Sequence, residues 1–324
     1  MSRVFPPLNR HHSLPCSQRV LVGCAGFTAA LLLATPAATA GEPIFTGPLA
    51  AGTLEAPPKQ EASGLAPSHR SKNVLWTHDD SGGAPVLYAV DTTGKKRGSI
   101  RMSGVKNEDW EDLASFVREG KPWLLVADTG DNDAKRDTVR IHVLEEPPAD
   151  QLKPASEIAV TPAYSLRFRY EDGPRDCESV AVDPVEGAVY LLTKRDATPR
   201  LYRLPLGASR EKQVTARFVG LAPEMAGTSP IDALFKHVAG KRGAWPTSFD
   251  ITSDGRVAVV LTYGAPVIFA RQGKEMWAET FKREPTRLLF HGLPQAEGVC
   301  FSSDGRAIYV VSETTAALIR YDRD

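Results

Sequence analysis

Four glutamates stand at matched places in this sequence. Glu61 opens EASGLAPSHRSKNVLWTHDD, Glu111 opens EDLASFVREGKPWLLVADTGDN, Glu178 opens ESVAVDPVEGAVYLLTKRD and Glu297 opens EGVCFSSDGRAIYVVSET. A fifth segment, TSFDITSDGRVAVVLTYG, has Thr247 in that place. The segments end in further polar groups: His78-Asp79-Asp80, Asp128 with Asp131-Asn132, Lys194-Arg195, Tyr263 and Glu313. Asp109, Asp112 and Asp176 lie beside the glutamates. The carboxylates among them offer oxygen ligands alone, which suits Ca²⁺ or Mg²⁺ better than zinc or copper. The expected metal ligands are Glu61, Glu111, Glu178, Glu297, Asp128 and Asp131. If the site is catalytic, a bound cation would polarise a phosphoryl or ester oxygen, and Glu178 or Glu297 would take the proton of the attacking water. Lys194, Arg195 and His78 complete the catalytic candidates.

Such groups act together only if the fold gathers them. After each opening residue comes a short alternating strand, then a turn such as SSDGR, TSDGR or DPVEG, then a near-continuous apolar run. Asp254-Gly255 and Asp304-Gly305 are strong hairpin signals, since glycine accepts positive φ and aspartate bonds its own backbone. A third strand follows each hairpin: VLYAVD, VRIHVLE, RLYRLPL, PVIFARQ and ALIRYD. A fourth follows several of them: KRGSIRMSG, SLRFRY, QVTARFVG and TRLLFHG. Antiparallel four-strand units repeated roughly every 50 to 70 residues describe a β-propeller. The expected fold is all-β, with five four-stranded blades and six as the competing count. The last unit lacks its fourth strand. FTGPLAAGTLE, residues 45–55, is expected to supply it and close the ring, which removes exposed strand edges. A short helical insertion, capped by Ser229, is expected near 229–240.

In a propeller the first strand of a blade lines the central channel, and the second runs back against it. The start of the first and the end of the second therefore share one face of the disc. The glutamates and the strand-end groups meet there, at the channel mouth. Two carboxylates about 6 Å apart repel by roughly 3 kcal/mol at an effective dielectric of about 20. Several such pairs reach the order of the whole stability of a domain, about 5–15 kcal/mol. A bound cation, raised carboxyl pKa values, or pairing with Lys194, Arg195, Arg175 or Lys106 would each offset this. The bland alternatives stay open: a strand-opening glutamate can accept amides from the next blade, DTGDND can be a solvated turn, and His78 can be structural. DTGDND departs from an EF-hand loop, because Gly130 falls on a ligand position. No GxSxG, P-loop or HExxH motif is present.

Composition bounds the rest. The chain of 324 residues carries 39 basic and 39 acidic side chains, and this neutrality argues against a nucleic-acid partner. Residues 1–40 read as a secretory signal peptide: Arg3, Arg10 and Arg19, then an apolar run ending in Ala38-Thr39-Ala40, with cleavage before Gly41. A lipoprotein box at 21–24 and an uncleaved anchor are the alternatives. Residues 41–324 then form a single propeller domain, exported to the periplasm or beyond, and off the membrane once the signal is cut. Cys177 and Cys300 remain, expected as buried free thiols.

EASGLA with LWTHDDSG and LYAVDTTG, EDWEDLA with ADTGDN, DCESVAVDP with VYLLTKR, and QAEGVCFSSDG with YVVSE together resemble secreted bacterial propellers of the phytase-like or SdiA-regulated superfamily. The resemblance covers about residues 60–322. It implies a calcium role for Glu61, Glu111, Glu178 and Glu297, because alkaline phytases hold calcium through carboxylates at the channel mouth. Thr247 departs from that pattern, and Lys194 and Arg195 are the only evident pair to grip a phosphate. The expectation is a calcium-binding propeller that takes a small-molecule or protein ligand at its mouth. The alternative is a metal-dependent hydrolase of phosphate esters or other small esters.

Overall fold

A computed structural model describes residues 44–57, 61–208, 213–225 and 243–324. The expected signal peptide and the expected helical insertion lie outside the described residues. Among the described residues the chain is all-β apart from single helical turns, one of them α1 (Trp277–Thr280).

Five inner strands begin the units: β2 (Ala62–Pro67), β6 (Trp110–Arg118), β11 (Cys177–Asp183), β15 (Pro246–Ile251) and β19 (Ala296–Phe301). Each pairs antiparallel with the strand that follows it: β3 (Val74–Asp79), β7 (Lys121–Asp128), β12 (Ala188–Thr193), β16 (Val257–Thr262) and β20 (Ala307–Ser312). The turns do what their residues dictate. Gly255 and Gly305 have φ of 68° and 69°, and the carboxylate of Asp254 accepts the Arg256 amide at 3.1 Å.

Third strands lie beyond: β4 (Val86–Asp91), β8 (Val139–Glu145), β13 (Arg200–Pro205), β17 (Val267–Ala270) and β21 (Ala317–Arg323). The outermost strands vary. β5 (Lys96–Met102) carries a further strand, β9 (Glu157–Val160), in parallel. β10 (Tyr164–Tyr170) and β14 (Val214–Leu221) pair in parallel with each other, which fuses two four-strand units into one eight-stranded sheet. Separate four-stranded sheets were the expectation there. Two outer edges that meet satisfy each other's backbone groups, so fusion is an answer to the exposed-edge problem. β18 (Thr286–Arg287) is only two residues long. β1 (Phe45–Thr53) pairs antiparallel with β21, from Phe45 opposite Arg323 to Thr53 opposite Ala317.

The inner strands touch in the order β2, β6, β11, β15, β19, and β19 returns to β2. Apolar layers fill the spaces between successive sheets: Trp76 with Trp110 and Leu124, Phe168 with Val180 and Tyr202, Tyr190 with Phe249, Phe301 with Val259, and Leu65 with Cys300. The near-continuous apolar runs of the second strands follow from this, because both faces of each strand are covered. The result is a propeller-like ring of sheets. Cys177 and Cys300 are buried free thiols.

Candidate metal centre

The acids stand where they do because the inner strands bulge. In β6 the pairing steps from Trp110 opposite Asp128 to Asp112 opposite Ala127, and Glu111 is the extra residue. Glu178, Thr247 and Glu297 are the extra residues of β11, β15 and β19 in the same way. A bulge re-aims its side chain and leaves it out of the ladder. The first unit differs, because its irregularity falls later, between Ser63 and Ala66. Ser63 therefore holds the place of the glutamate, and its hydroxyl donates to the Glu111 carbonyl at 2.7 Å. Thr247 donates to the Ala296 carbonyl at 2.7 Å. Glu61 sits one step earlier and is exposed. Its carbonyl accepts the Asp80 amide at 3.0 Å, as those of Asp176 and Gln295 accept the amides of Lys194 and Glu313. Glu61 thus corresponds to Asp176, and the alignment of the four glutamates is out of step in the first unit.

Two carboxylate trios form at the mouth. Asp80, Asp109 and Glu111 bring one oxygen each within 4.8 Å of one another, and so do Glu111, Asp176 and Glu178. Glu111 belongs to both. It is only 7% exposed, yet its carboxylate has no hydrogen-bond or ion-pair partner among the described residues. Burial pushes its pKa well up, and Glu178, Asp80 and Asp109 add to the rise. Asp109 is pushed up to about 6, by burial first and by Asp80 next. Asp80 is raised as well, again chiefly by burial. Gly130 lets these groups approach: a Cβ there would stand 2.2 Å from Glu111 Oε1 and 2.5 Å from Asp109 Oδ2.

The other two members of the second trio, Asp176 and Glu178, are already compensated. Lys194 Nζ donates to Glu178 Oε2, lies 3.7 Å from Glu297 Oε1, and sits 5.1 Å over the Tyr263 ring. Burial alone would lower the Lys194 pKa, but Glu297 and Glu178 outweigh it and leave it raised. Arg195 donates to Asp176 Oδ2, and to Glu178 Oε1 at 3.0 Å, and lies 5.4 Å over Trp245. The Tyr263 hydroxyl donates to Glu297, whose pKa burial pushes up to about 8 against the pull of Lys194. Glu313, half-buried, accepts from Gln295 Nε2 at 2.8 Å.

The remaining candidates have other partners. Asp128 is buried and accepts Arg136 Nη2 at 2.7 Å; His142 and Arg136 hold its pKa down despite burial. Asp131 accepts the Lys135 and Arg136 amides at 2.8 and 2.7 Å, and its own amide donates to Asp176 Oδ1 at 2.9 Å. DTGDND is therefore a bracket that supports Asp176, and neither Asp128 nor Asp131 belongs to a trio. His78 is fully buried, with Nδ1 2.9 Å from the Asp79 carbonyl, and burial depresses its pKa to about 4.

The accepting role expected of strand-opening glutamates belongs to aspartates further into the strands, Asp112 one position after Glu111 and Asp250 three after Thr247. Asp112 Oδ2 accepts the Val180 amide at 2.7 Å and the Phe249 amide at 3.1 Å. Its Oδ1 accepts the Leu113 amide and the Ser248 hydroxyl, both at 2.9 Å. One carboxyl thus ties β6 to β11 and β15. Asp250 accepts the Ile251 and Phe301 amides at 2.9 and 2.8 Å and ties β15 to β19. The signal in the sequence was an acid inside an apolar strand: Asp112 directly after Glu111, and Asp250 between Phe249 and Ile251.

No protein-family model matches the chain, and no curated protein matches it. Among solved structures, the β-propeller domain of Myceliophteria thermophila Cps50 (Swd1) is similar at 13% identity and a TM-score of 0.39, over 84% of this chain and 67% of that one. Chaetomium thermophilum Raptor is similar at 14% identity and a TM-score of 0.39, over 83% of this chain and 20% of that one. Neither likeness bears on what this chain binds or does.

The donor set of the first trio suits a hard cation. It is oxygen alone, it is partly buried, and two of its members, Asp109 and Glu111, have carboxylates with no protein donor among the described residues.

Proposed function

We propose that this chain is an exported, five-bladed β-propeller that binds a divalent cation, Ca²⁺, at its channel mouth and serves as a ligand- or protein-binding module. The cyclic order of inner strands and the apolar layers between them support the blade count. Pairing of β1 with β21 supports closure by the N-terminal strand. The signal-like leader supports export.

The single observation that carries the cation reading is Glu111: a buried carboxylate shared by two acidic trios and partnered by no protein donor. A buried unpaired charge costs several kcal/mol, about 3–5 when a partner is removed from a buried pair. Asp80, Asp109 and Glu111 would hold the ion. Bound there, the ion supplies charge neutralisation and a site for an anionic oxygen of the ligand. Asp176, Glu178 and Glu297 take Lys194, Arg195 and Tyr263 as partners, and these close the other side of the mouth. That arrangement favours a binding module over the phosphoesterase reading, because Lys194 and Arg195 are engaged by carboxylates and have little freedom to grip a phosphate.

Calorimetric titration of EGTA-treated, dialysed protein with CaCl₂ tests this. Binding that Glu111→Gln abolishes, together with a Tm that rises with calcium concentration, is the expected result. Absence of binding heat and of any Tm shift overturns the cation reading. Calcium-dependent turnover of p-nitrophenyl phosphate, lost in Glu178→Gln, would overturn the preference for a binding module.

A further inference from the structure

An arginine staircase crosses the outer face of the eight-stranded sheet, with Arg140 at its end nearest the mouth. Leu166, Phe168 and Tyr170 are buried in the apolar layer, so Ser165, Arg167 and Arg169 take the opposite, exposed face of β10. The same alternation puts Arg140 of β8, Arg217 of β14 and Arg203 of β13 on that face, since Ile141, Ala216 and Leu204 point into the layer. These four strands are neighbours in the order β13, β14, β10, β8. Arg167 stands directly opposite Arg140, and Arg203 directly opposite Arg217. Arg169 stands opposite Thr215, two residues before Arg217 and on the same face.

Like charges directly opposite in a sheet destabilise it. The surroundings compensate only in part. Arg140 meets Glu108 at 2.9 Å, Arg217 meets Glu171 at 3.2 Å and Arg203 meets Glu186 at 3.5 Å. Arg167 and Arg169, at the centre of the row, have no carboxylate partner among the described residues. Arg203, Thr215 and Arg217 also line a cavity of about 440 Å³ at one end of the row.

We infer that this row is a docking surface for an acidic peptide segment in extended conformation. Same-face residues of an extended strand lie about 6.8 Å apart and neighbouring strands about 4.8 Å apart, so the row runs diagonally for roughly 20 Å. An extended peptide with an acidic residue at every second position places its carboxylates about 6.8 Å apart, so about four of them span the row. The guanidinium fork matches a carboxylate bidentately, which a lysine row would not do. A line of charge on a curved sheet fits a chain better than it fits a plane.

The test uses the full chain and a fluorescein-labelled peptide of six Glu-Ser repeats, read by fluorescence anisotropy. Binding is expected to weaken at least tenfold in Arg167→Glu/Arg169→Glu and to fall with added salt. A peptide of the same composition with its glutamates in one block is expected to bind several-fold less well. Arg167→Glu alone is expected to raise Tm by about 1–2 °C, because it turns a like-charge cross-strand pair into an opposite one. Unchanged peptide affinity in the double variant overturns the inference. So does a fall in Tm for Arg167→Glu, which would mean that the arginines serve the sheet itself. Arginine-dependent binding of a sulfated oligosaccharide, with no binding of the peptide, would overturn the assignment to a peptide.

Discussion

At the scale of single residues, the mouth is a balance between carboxylates that found partners and others, Glu111 the most buried, that did not. Glu178 has Lys194 and Arg195, Glu297 has Tyr263, and Glu111 has acids on both sides. Glu111→Gln is therefore expected to raise the Tm of EGTA-treated protein by about 3–6 °C while removing the calcium response, measured by scanning calorimetry. The pH dependence follows from the same groups. Asp109, Asp250 and Glu297 hold their protons up to about 6, 7 and 8, against ordinary values of 3.8, 3.8 and 4.5. Folded chains thus bind these protons more tightly than unfolded ones. The stability they contribute is full below about pH 4 and is lost as pH rises through 6 to 8. Tm without calcium should fall across that range, and calcium should flatten the part that Asp109 contributes. Glu275 has the opposite sign. Its pairing with Arg283 depresses it to about 2, so its contribution is lost only as pH falls from about 4.5 towards 2. A flat Tm between pH 5 and 8 in EGTA would contradict this assignment.

At the scale of elements, bulge, turn and staple fix the site. Gly130 admits the Glu111 and Asp109 carboxylates where any side chain would collide with them. Gly130→Ala is expected to remove calcium binding in titration calorimetry while leaving the circular dichroism spectrum of the sheets intact. Asp112 is the joint of β6, β11 and β15. Truncation to alanine orphans the buried Val180 and Phe249 amides, and should cost about 3–5 kcal/mol in urea unfolding. Asp112→Asn should cost less, since its carbonyl oxygen still accepts. The acidic residues of these elements were evident from the sequence, but their register was not. A bulge adds one residue to one strand, and from Ser63 onwards that shift decides which side chain faces the mouth. For this reason Glu61, aligned with the other glutamates in the sequence, stays outside both trios, while Asp80, Asp109 and Asp176 enter them.

At the scale of the whole molecule, the last sheet depends on the first strand. β1 covers the edge of β21, and Phe45 packs against Phe301 with ring centroids 6.1 Å apart. A chain that starts at Ala56 leaves that edge open. It is expected to lose cooperative thermal unfolding, followed by near-ultraviolet circular dichroism, and to associate through the exposed strand. Unchanged cooperative melting would show that β1 is dispensable. Fusion of two units through β10 and β14 is also a whole-molecule feature, because neither strand carries a local mark that distinguishes it from the outer strand β5, which pairs instead with β9.

The sequence by itself determined the strands, the hairpin turns and their repetition, because alternation, apolar runs and Asp-Gly turns are local and survive reading in one dimension. It also determined that carboxylates would crowd one face, since strand starts and strand ends meet in any antiparallel pair. Only the tertiary structure decided which carboxylates meet. Glu111 and Glu178 are 67 positions apart in the chain (178 − 111) and come together through the ring order, while Asp128 is drawn aside by Arg136 a few residues away. Proximity across neighbouring units depends on bulges and on which long side chain arrives first. Those outcomes are settled by packing and charge compensation in three dimensions, and no local pattern encodes them.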